Sequence, residues 1–196
     1  MPFASRAGLK LDHALNVFQV EVAGLTCADL GSNVGGFVDC LLQRGAAKVY
    51  AVEKGYGVLE YRLRKDPRVV VMERTHAMHV TLPERVALVT IDVAWTRQKN
   101  ILPAARKIVR DDGRVVTLIK PHYEASASLL KKGILPEGEV DGVVRIVEEE
   151  IAKAGFIVER LTRSPIEGSG GNVEVLAMLR PRIDQPKSQQ DEKVSV

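Results

Sequence analysis

Short apolar runs alternate along the chain with stretches whose apolar positions recur every three or four residues. Leu25 to Leu30, Lys48 to Glu53, Arg68 to Met72, Val86 to Asp92 and Arg114 to Ile119 are rich in Val, Ile and Leu and are bounded by turn residues. That pattern predicts strands of a parallel sheet covered on both faces. Helical spacing falls between them at Gly35 to Arg44, Val58 to Arg64, Gln98 to Val109 and Asp141 to Ala154. An N-terminal helix within residues 1–20 carries an apolar stripe of Leu11, Leu15 and Phe18 beside Lys10. The last two runs, Phe156 to Leu161 and Val173 to Leu179, have no helix between them and are expected to pair as an antiparallel edge hairpin. The expected fold is α/β: a doubly wound, mostly parallel, seven-stranded Rossmann-like sheet. Its ligand should lie at the carboxyl ends of the strands.

The 196 residues, 45% hydrophobic and 27% charged, suit one folded domain, expected over residues 1–180. The last sixteen, from Pro181, carry three positive and three negative charges and two prolines, and read as a solvated, disordered tail. The formal net charge of +3 therefore belongs to the body, which permits a polyanionic partner without requiring one. No run free of Asp, Glu, Lys and Arg exceeds nine residues, against the ~20 of a membrane span. Nor do residues 1–10 hold the apolar core of a secretory leader. A soluble, cytoplasmic protein is expected. Cys27 and Cys40 are too few for a disulfide framework and sit in apolar company, as buried small side chains do. Of the histidines, only His76-Ala-Met-His79 offers any metal-like spacing, without acidic neighbours, and no metal is expected.

If the ligand lies at strand ends, the residues after each run carry the chemistry. The first run ends Asp29-Leu-Gly31-Ser-Asn-Val-Gly35-Gly36-Phe37. Glycines there let the backbone turn and approach a ligand at a helix N-terminus. A dinucleotide fingerprint would place glycine at position 33, which is asparagine. The acid at the strand end suits a ligand carrying an ammonium and a sulfonium. The second run ends at Glu53, placed to accept hydrogen bonds from ribose hydroxyls, a role that NAD would satisfy equally. The third ends Glu73-Arg74-Thr75-His76, the fourth at Asp92, and the fifth at Lys120-Pro121-His122-Tyr123-Glu124.

Taken in order, these motifs resemble those of the FtsJ-like RNA ribose methyltransferases, most closely the TlyA or hemolysin-like branch. The resemblance runs from Ser5-Arg-Ala-Gly-Leu-Lys10-Leu through the glycine loop, Ile91-Asp-Val and Ile119-Lys-Pro-His-Tyr-Glu124 to Ser164-Pro-Ile and Gly171-Asn-Val-Glu174. It implies a methyltransferase sheet, S-adenosylmethionine as cofactor, and RNA, ribosomal RNA in particular, as substrate or partner. It also implies a catalytic tetrad of Lys10, Asp92, Lys120 and Glu174. Asp29, Gly31, Ser32, Gly35 and Phe37 would line the methionine part of the cofactor. Glu53 would hold its ribose, Thr75 or its neighbours would approach adenine, and Asp92 would border the same site. A ribose hydroxyl is a poor nucleophile, so an amine or carboxylate must hold or remove its proton during attack. Lys120 is expected in that role, with Lys10, Asp92 and Glu174 setting its charge and orientation. Plain alternatives stand beside these roles: Lys10 as the solvated face of its helix, Glu174 as an outward acid in an alternating strand, Glu53 as a surface acid next to Lys54. A methyltransferase of small molecules or proteins is the competing function.

Departures from the family pattern cluster around the acceptor. Ala7 stands where members usually have glycine, Asn33-Val34 for Ser-Thr, Glu53-Lys54 for Asp and an apolar residue, Ala94-Trp95-Thr96-Arg97 for Ser-Phe-Ile-Ser, and His122-Tyr123 for Gln-Phe. They bear on which substrate is taken more than on the reaction. Members of the branch usually carry an RNA-binding module of roughly sixty residues ahead of the methyltransferase domain. This chain begins almost at the Ser-Arg motif, so RNA affinity is expected from the catalytic body or a partner. Candidate contacts are Arg6, Arg97, Lys99, Lys131, Lys132 and Arg163, with Trp95 and Tyr123 available for base stacking. The small polar residues of Glu124 to Pro136 suggest a mobile flap around the Lys131-Lys132 pair.

Overall fold

In the computed structural model, which describes residues 1–183, the apolar runs form β1 (Thr26–Leu30), β2 (Lys48–Val52), β3 (Val69–Met72), β4 (Val86–Ile91), β5 (Val109–Ile119), β6 (Phe156–Arg163) and β7 (Val175–Pro181). They pair as one sheet in the order β3-β2-β1-β4-β5-β7-β6. β1 to β5 are parallel, and β7 runs antiparallel to both β5 and β6. The expected terminal hairpin therefore forms, with its second strand inside the sheet and β6 at the edge.

Side-chain alternation sorts the strands into two cores. On one face Ala28, Leu30, Val89, Ile91, Val115 and Ala177 pack against α4 (Gln98–Ile108) and α6 (Glu137–Lys153). On the other, Cys27, Val49, Leu88, Val116, Leu118 and Leu176 meet α1 (Ala7–Phe18), α2 (Gly36–Gln43) and α3 (Tyr61–Lys65). The parity continues beyond the apolar positions. Asp29 shares the side of Cys27, Thr90 that of Leu88, and Glu174 that of Leu176, so all three point toward α1 and α2. Leu11, Ala14, Leu15 and Phe18 bury the inner stripe of α1, and this packing carries Lys10 to the sheet.

Boundaries differ from the sequence reading where tertiary contacts decide them. β5 begins at Val109, directly after α4, and reaches its register through a shift against Val86 and Leu88. Gly113 makes that approach feasible, because a Cβ there would lie 2.8 Å from the Ala87 carbonyl oxygen. α3 starts at Tyr61 because Glu60 is extended, which frees Leu59 to pack into the core. α6 starts at Glu137, with Glu137 and Glu139 in its first turn, where acidic side chains complement the helix dipole. A short helix not expected from the sequence, α5 (Pro121–Glu124), follows Lys120 with Pro121 at its first position. Of the expected tail, Pro181 still belongs to β7, and residues 184–196 lie outside the described residues. Among the described residues, no helix is long and apolar enough to cross a membrane.

Candidate active site

Strand order reverses between β1 and β4, so the loops leaving their carboxyl ends diverge and open a crevice. A cavity of about 710 Å³ occupies it, lined by residues following β1 (Gly31, Ser32, Asn33), β2 (Glu53, Lys54), β4 (Asp92 to Thr96) and β5 (Lys120). Gly31 sits at φ 88°, and a Cβ there would lie 2.6 Å from the Asp92 carbonyl oxygen. Only glycine allows the two strand ends to come so close. Gly35, at φ 102°, caps α2 and leaves room for the Leu63 and Leu59 methyls. It shapes the turn, while Gly36 and Phe37 reach the cavity wall.

Asp29 is 1% exposed. Thr90 is its register partner on β4, and the Thr90 hydroxyl donates to Asp29 Oδ1 at 2.7 Å. Asp29 Oδ2 and the Ser32 hydroxyl, both buried at the cavity, have no hydrogen-bond partner among the described residues. Burial, opposed by the Thr90 hydrogen bond and reinforced by the nearby charges of Asp92 and Glu53, pushes the Asp29 carboxyl up to about 7. Glu53 is held differently. Its Oε2 accepts from the Asn33 amide at 2.9 Å and its Oε1 from the Gly55 amide at 2.7 Å. Two backbone donors fix the carboxylate and leave lone pairs for hydroxyl donors.

On the far wall the carboxylates are matched by lysines. Lys120 Nζ lies 2.6 Å from Asp92 Oδ1 and donates to the Val93 carbonyl at 3.2 Å. Two of its three donors are thereby committed and one remains. Behind it, Lys10 of α1 pairs with Glu174 just before β7, and both are buried, at 9% and 3% exposure. Ile119 and Val175 are register partners on β5 and β7, so Lys120 and Glu174 extend from neighbouring positions at the same sheet edge. Gly168 packs over the Glu174 carboxylate, where a Cβ would meet Oε1 at 2.3 Å. The four charged residues thus form two ion pairs, Asp92 with Lys120 on the cavity wall and Lys10 with Glu174 buried at the neighbouring strand end.

At the cavity mouth, Trp95 is 84% exposed and holds φ 56°. Its ring stacks on Tyr123 at 4.8 Å between centroids, and Arg97 donates to the Tyr123 carbonyl at 3.3 Å. His122 is buried against Tyr123 with Nδ1 unpartnered among the described residues, and burial and the Lys120 charge lower its pKa. Arg6, Lys131 and Lys132 are exposed. Arg163 is exposed and pairs with Glu137 and Asp141 at the start of α6. Lys99 faces Glu150 at 4.0 Å. The Thr75 hydroxyl turns back to the Glu73 carbonyl at 3.2 Å, and its neighbours His76, Ala77 and Met78 line the cavity instead. Ser5 and Ala7 also line it. Small side chains ahead of Lys10 were the only sign of this, since they let the start of α1 approach Gly36. Cys27 and Cys40 are buried, and burial raises each thiol to about 12, so neither is a thiolate nucleophile.

A family model for FtsJ-like methyltransferases matches residues 3–180. The chain belongs to the FtsJ-like methyltransferase family. Among its relatives, YqxC of Bacillus subtilis is 41% identical over 187 residues, covering 90% of this chain and 65% of that protein. The chain therefore spans just under two thirds of YqxC. The 16S/23S rRNA (cytidine-2′-O)-methyltransferase TlyA of Mycobacterium tuberculosis is 37% identical over 193 residues, covering 95% of this chain and 71% of TlyA. A Streptococcus thermophilus protein named as a hemolysin superposes with a TM-score of 0.89 at 38% identity, over 96% of this chain and 72% of its own. The cavity suits the chemistry of S-adenosylmethionine, the cofactor that the motif resemblance implies. The unpartnered Asp29 oxygen and Ser32 hydroxyl can meet a cationic amino-acid moiety, and the spare lone pairs of Glu53 can meet a ribose.

Proposed function

We propose that this chain methylates the 2′-hydroxyl of a ribose in RNA, ribosomal RNA in particular, and that residues 1–180 form the catalytic unit. The observation that carries the reading is the Lys120–Asp92 pair on the wall of a nucleoside-sized cavity, backed by the buried Lys10–Glu174 pair. The likeness to a relative named as an rRNA 2′-O-methyltransferase supports the choice of RNA and of the ribose oxygen.

Asp29 and Ser32 would hold the methionine end of S-adenosylmethionine, Glu53 the ribose, and residues 76–78 the adenine. Bound there, the cofactor supplies an electrophilic methyl group on its sulfonium. The remaining work belongs to the chain. With two N–H groups held by Asp92 and the Val93 carbonyl, the lone pair of the Lys120 amine faces the ribose hydroxyl from the uncommitted position and takes its proton as the oxygen attacks the methyl carbon. Asp92 fixes the amine in place. The Lys10–Glu174 pair neutralises two charges that would otherwise face Lys120 unbalanced. Such transfer depends mostly on holding oxygen, carbon and sulfur in line, which rigid strand ends do well. The exposed Arg6, Arg97, Lys131 and Lys132 are the cations offered to the RNA backbone, and the reaction takes place in the cytoplasm.

The test uses purified protein, a methyl donor labelled on the transferred carbon, and total RNA from a strain lacking the gene. Label should appear at a defined ribose, where the methylated nucleotide resists alkaline cleavage of its 3′ phosphodiester. Label on a base, on protein or on small metabolites would overturn the reading.

A further inference from the structure

The segment expected as a flap carries a fixed projection at its end. Lys131 N–H donates to the Ile134 carbonyl at 2.8 Å, and Ile134 N–H donates to the Lys131 carbonyl at 3.0 Å. Between them Lys132 and Gly133 hold φ 52° and 83°, both positive as in a two-residue type I′ turn. The turn is exposed, yet its root is not. Leu135 is buried in the core. Asn172, 3% exposed, accepts from Leu135 N–H through Oδ1 at 3.0 Å and donates through Nδ2 to the Gly133 carbonyl at 3.2 Å. One buried amide therefore grips the turn at two points. Both lysines are exposed, and neither forms an ion pair among the described residues.

The position of Asn172 matters as much as its bonds. It lies two residues before Glu174, whose carboxylate pairs with Lys10. Extended chain rises about 3.3 Å per residue, so the backbone holding the turn lies within about 7 Å of the backbone holding Glu174. A cationic turn whose root is held in this way binds phosphate with less loss of backbone freedom, the saving that preorganisation brings. We propose, resting on the RNA reading above, that Lys131 and Lys132 form a preorganised phosphate-binding finger for the RNA backbone flanking the reacting ribose. Asn172 is the positioning residue that sets this finger relative to the Lys10–Glu174 pair. The finger thus registers the RNA strand against the reacting groups as well as attracting it.

The double variant Lys131→Ala with Lys132→Gly removes both charges and keeps the turn, because glycine accepts the positive φ. Binding of unmodified ribosomal RNA transcripts is measured over a salt series, with cofactor affinity measured alongside. The expected result is RNA binding at least tenfold weaker at physiological salt, with cofactor affinity as in the wild type. The slope of log affinity against log salt should be shallower by roughly 1.4 to 2, about one phosphate contact per lysine. Asn172→Ala keeps both charges, so its salt slope should match the wild type while KM for RNA rises more than kcat falls. An unchanged slope and affinity in the double variant, beside a wild type that methylates RNA, overturns the finger and leaves the RNA reading standing. A wild type that neither binds nor methylates RNA removes both. Asn172→Ala with lowered kcat and unchanged KM overturns the positioning assignment.

Discussion

The two walls of the crevice handle negative charge in opposite ways. On the β1–β2 side, Asp29 and Glu53 have only neutral donors, a threonine hydroxyl and two backbone amides, and no cationic partner among the described residues. On the β4–β5–β7 side, Asp92 and Glu174 each meet a lysine. The first wall carries negative potential that a cationic ligand can neutralise. The second is already balanced and presents amines. Burying a carboxylate costs several kcal/mol unless something offsets it, and Asp29 and Glu174 are the buried acid of each wall. The protein leaves that cost standing where it binds a cation and cancels it where it must hold a proton acceptor steady. A cofactor half and an acceptor half follow from this difference more directly than from either set of residues alone.

The largest effect should come from breaking the balanced wall at its exposed end. Lys120→Met keeps the length of the side chain and removes the amine. Turnover should fall by roughly 10² to 10⁴, the usual contribution of a positioned acid–base group, while cofactor affinity measured by titration calorimetry stays near wild type. Retained turnover would show that Lys120 is only a structural partner of Asp92. Glu174→Gln attacks the buried end. It strands the Lys10 ammonium, and breaking a buried pair in this way costs about 3–5 kcal/mol. Thermal unfolding should register that loss, and it should shrink in a Lys10→Met, Glu174→Gln double variant where no charge is left unpaired.

That contrast was only partly legible in the sequence. Strand runs, the glycine loop and the acids at positions 29, 53 and 92 follow from local pattern, because a buried parallel strand has a strong signature and its end marks the crevice. Lys10 and Glu174 show no such sign. Lys10 sits 164 positions from its partner, and each alone looks like a solvated charge on an amphipathic element. Family resemblance named them, and side-chain parity on β7 with the packing of α1 explains why they meet. The pinned turn at 131–134 was hidden for a related reason. Its polar, small residues read as a mobile loop, and the amide that grips them lies on a distant segment. Thr75 was the reverse case, a residue at the expected strand end whose hydroxyl is used by its own turn.

Asp29 sharpens the comparison through pH. Its folded-state carboxyl titrates at about 7, against 3.8 for the ordinary value. Between those values the folded chain binds more protons than the unfolded chain, so stability contributed by this group is complete at low pH and is lost as pH rises through the window. The loss amounts to as much as about 4 kcal/mol by linkage. Asp29→Asn should therefore raise the melting temperature of the cofactor-free protein more at pH 8 than at pH 5, where less than half of that loss has accrued. It should also weaken S-adenosylmethionine binding, because the cation loses its counter-charge. A melting temperature lowered equally at both pH values would mean that Asp29 is already compensated by a partner.

The smallest expected effect isolates the one side-chain donor that Asp29 has among the described residues. Thr90→Val keeps the branched shape and removes the hydroxyl that donates to Oδ1. A hydrogen bond to a charged acceptor is worth about 1.5–3 kcal/mol and one to a neutral acceptor about 1. The variant should therefore cost more at pH 8, where the carboxyl is ionised, than at pH 5, where it is protonated, and the difference should be about 1 kcal/mol. Removing the donor also pushes the Asp29 carboxyl further up, which widens the window of pH-dependent stability. Combining Thr90→Val with Asp29→Asn supplies the control. With no titrating group at position 29, the penalty of losing the hydroxyl should become independent of pH. If the difference between pH 5 and pH 8 persists in the double variant, it originates elsewhere in the crevice, and the unbalanced wall is not the work of Asp29.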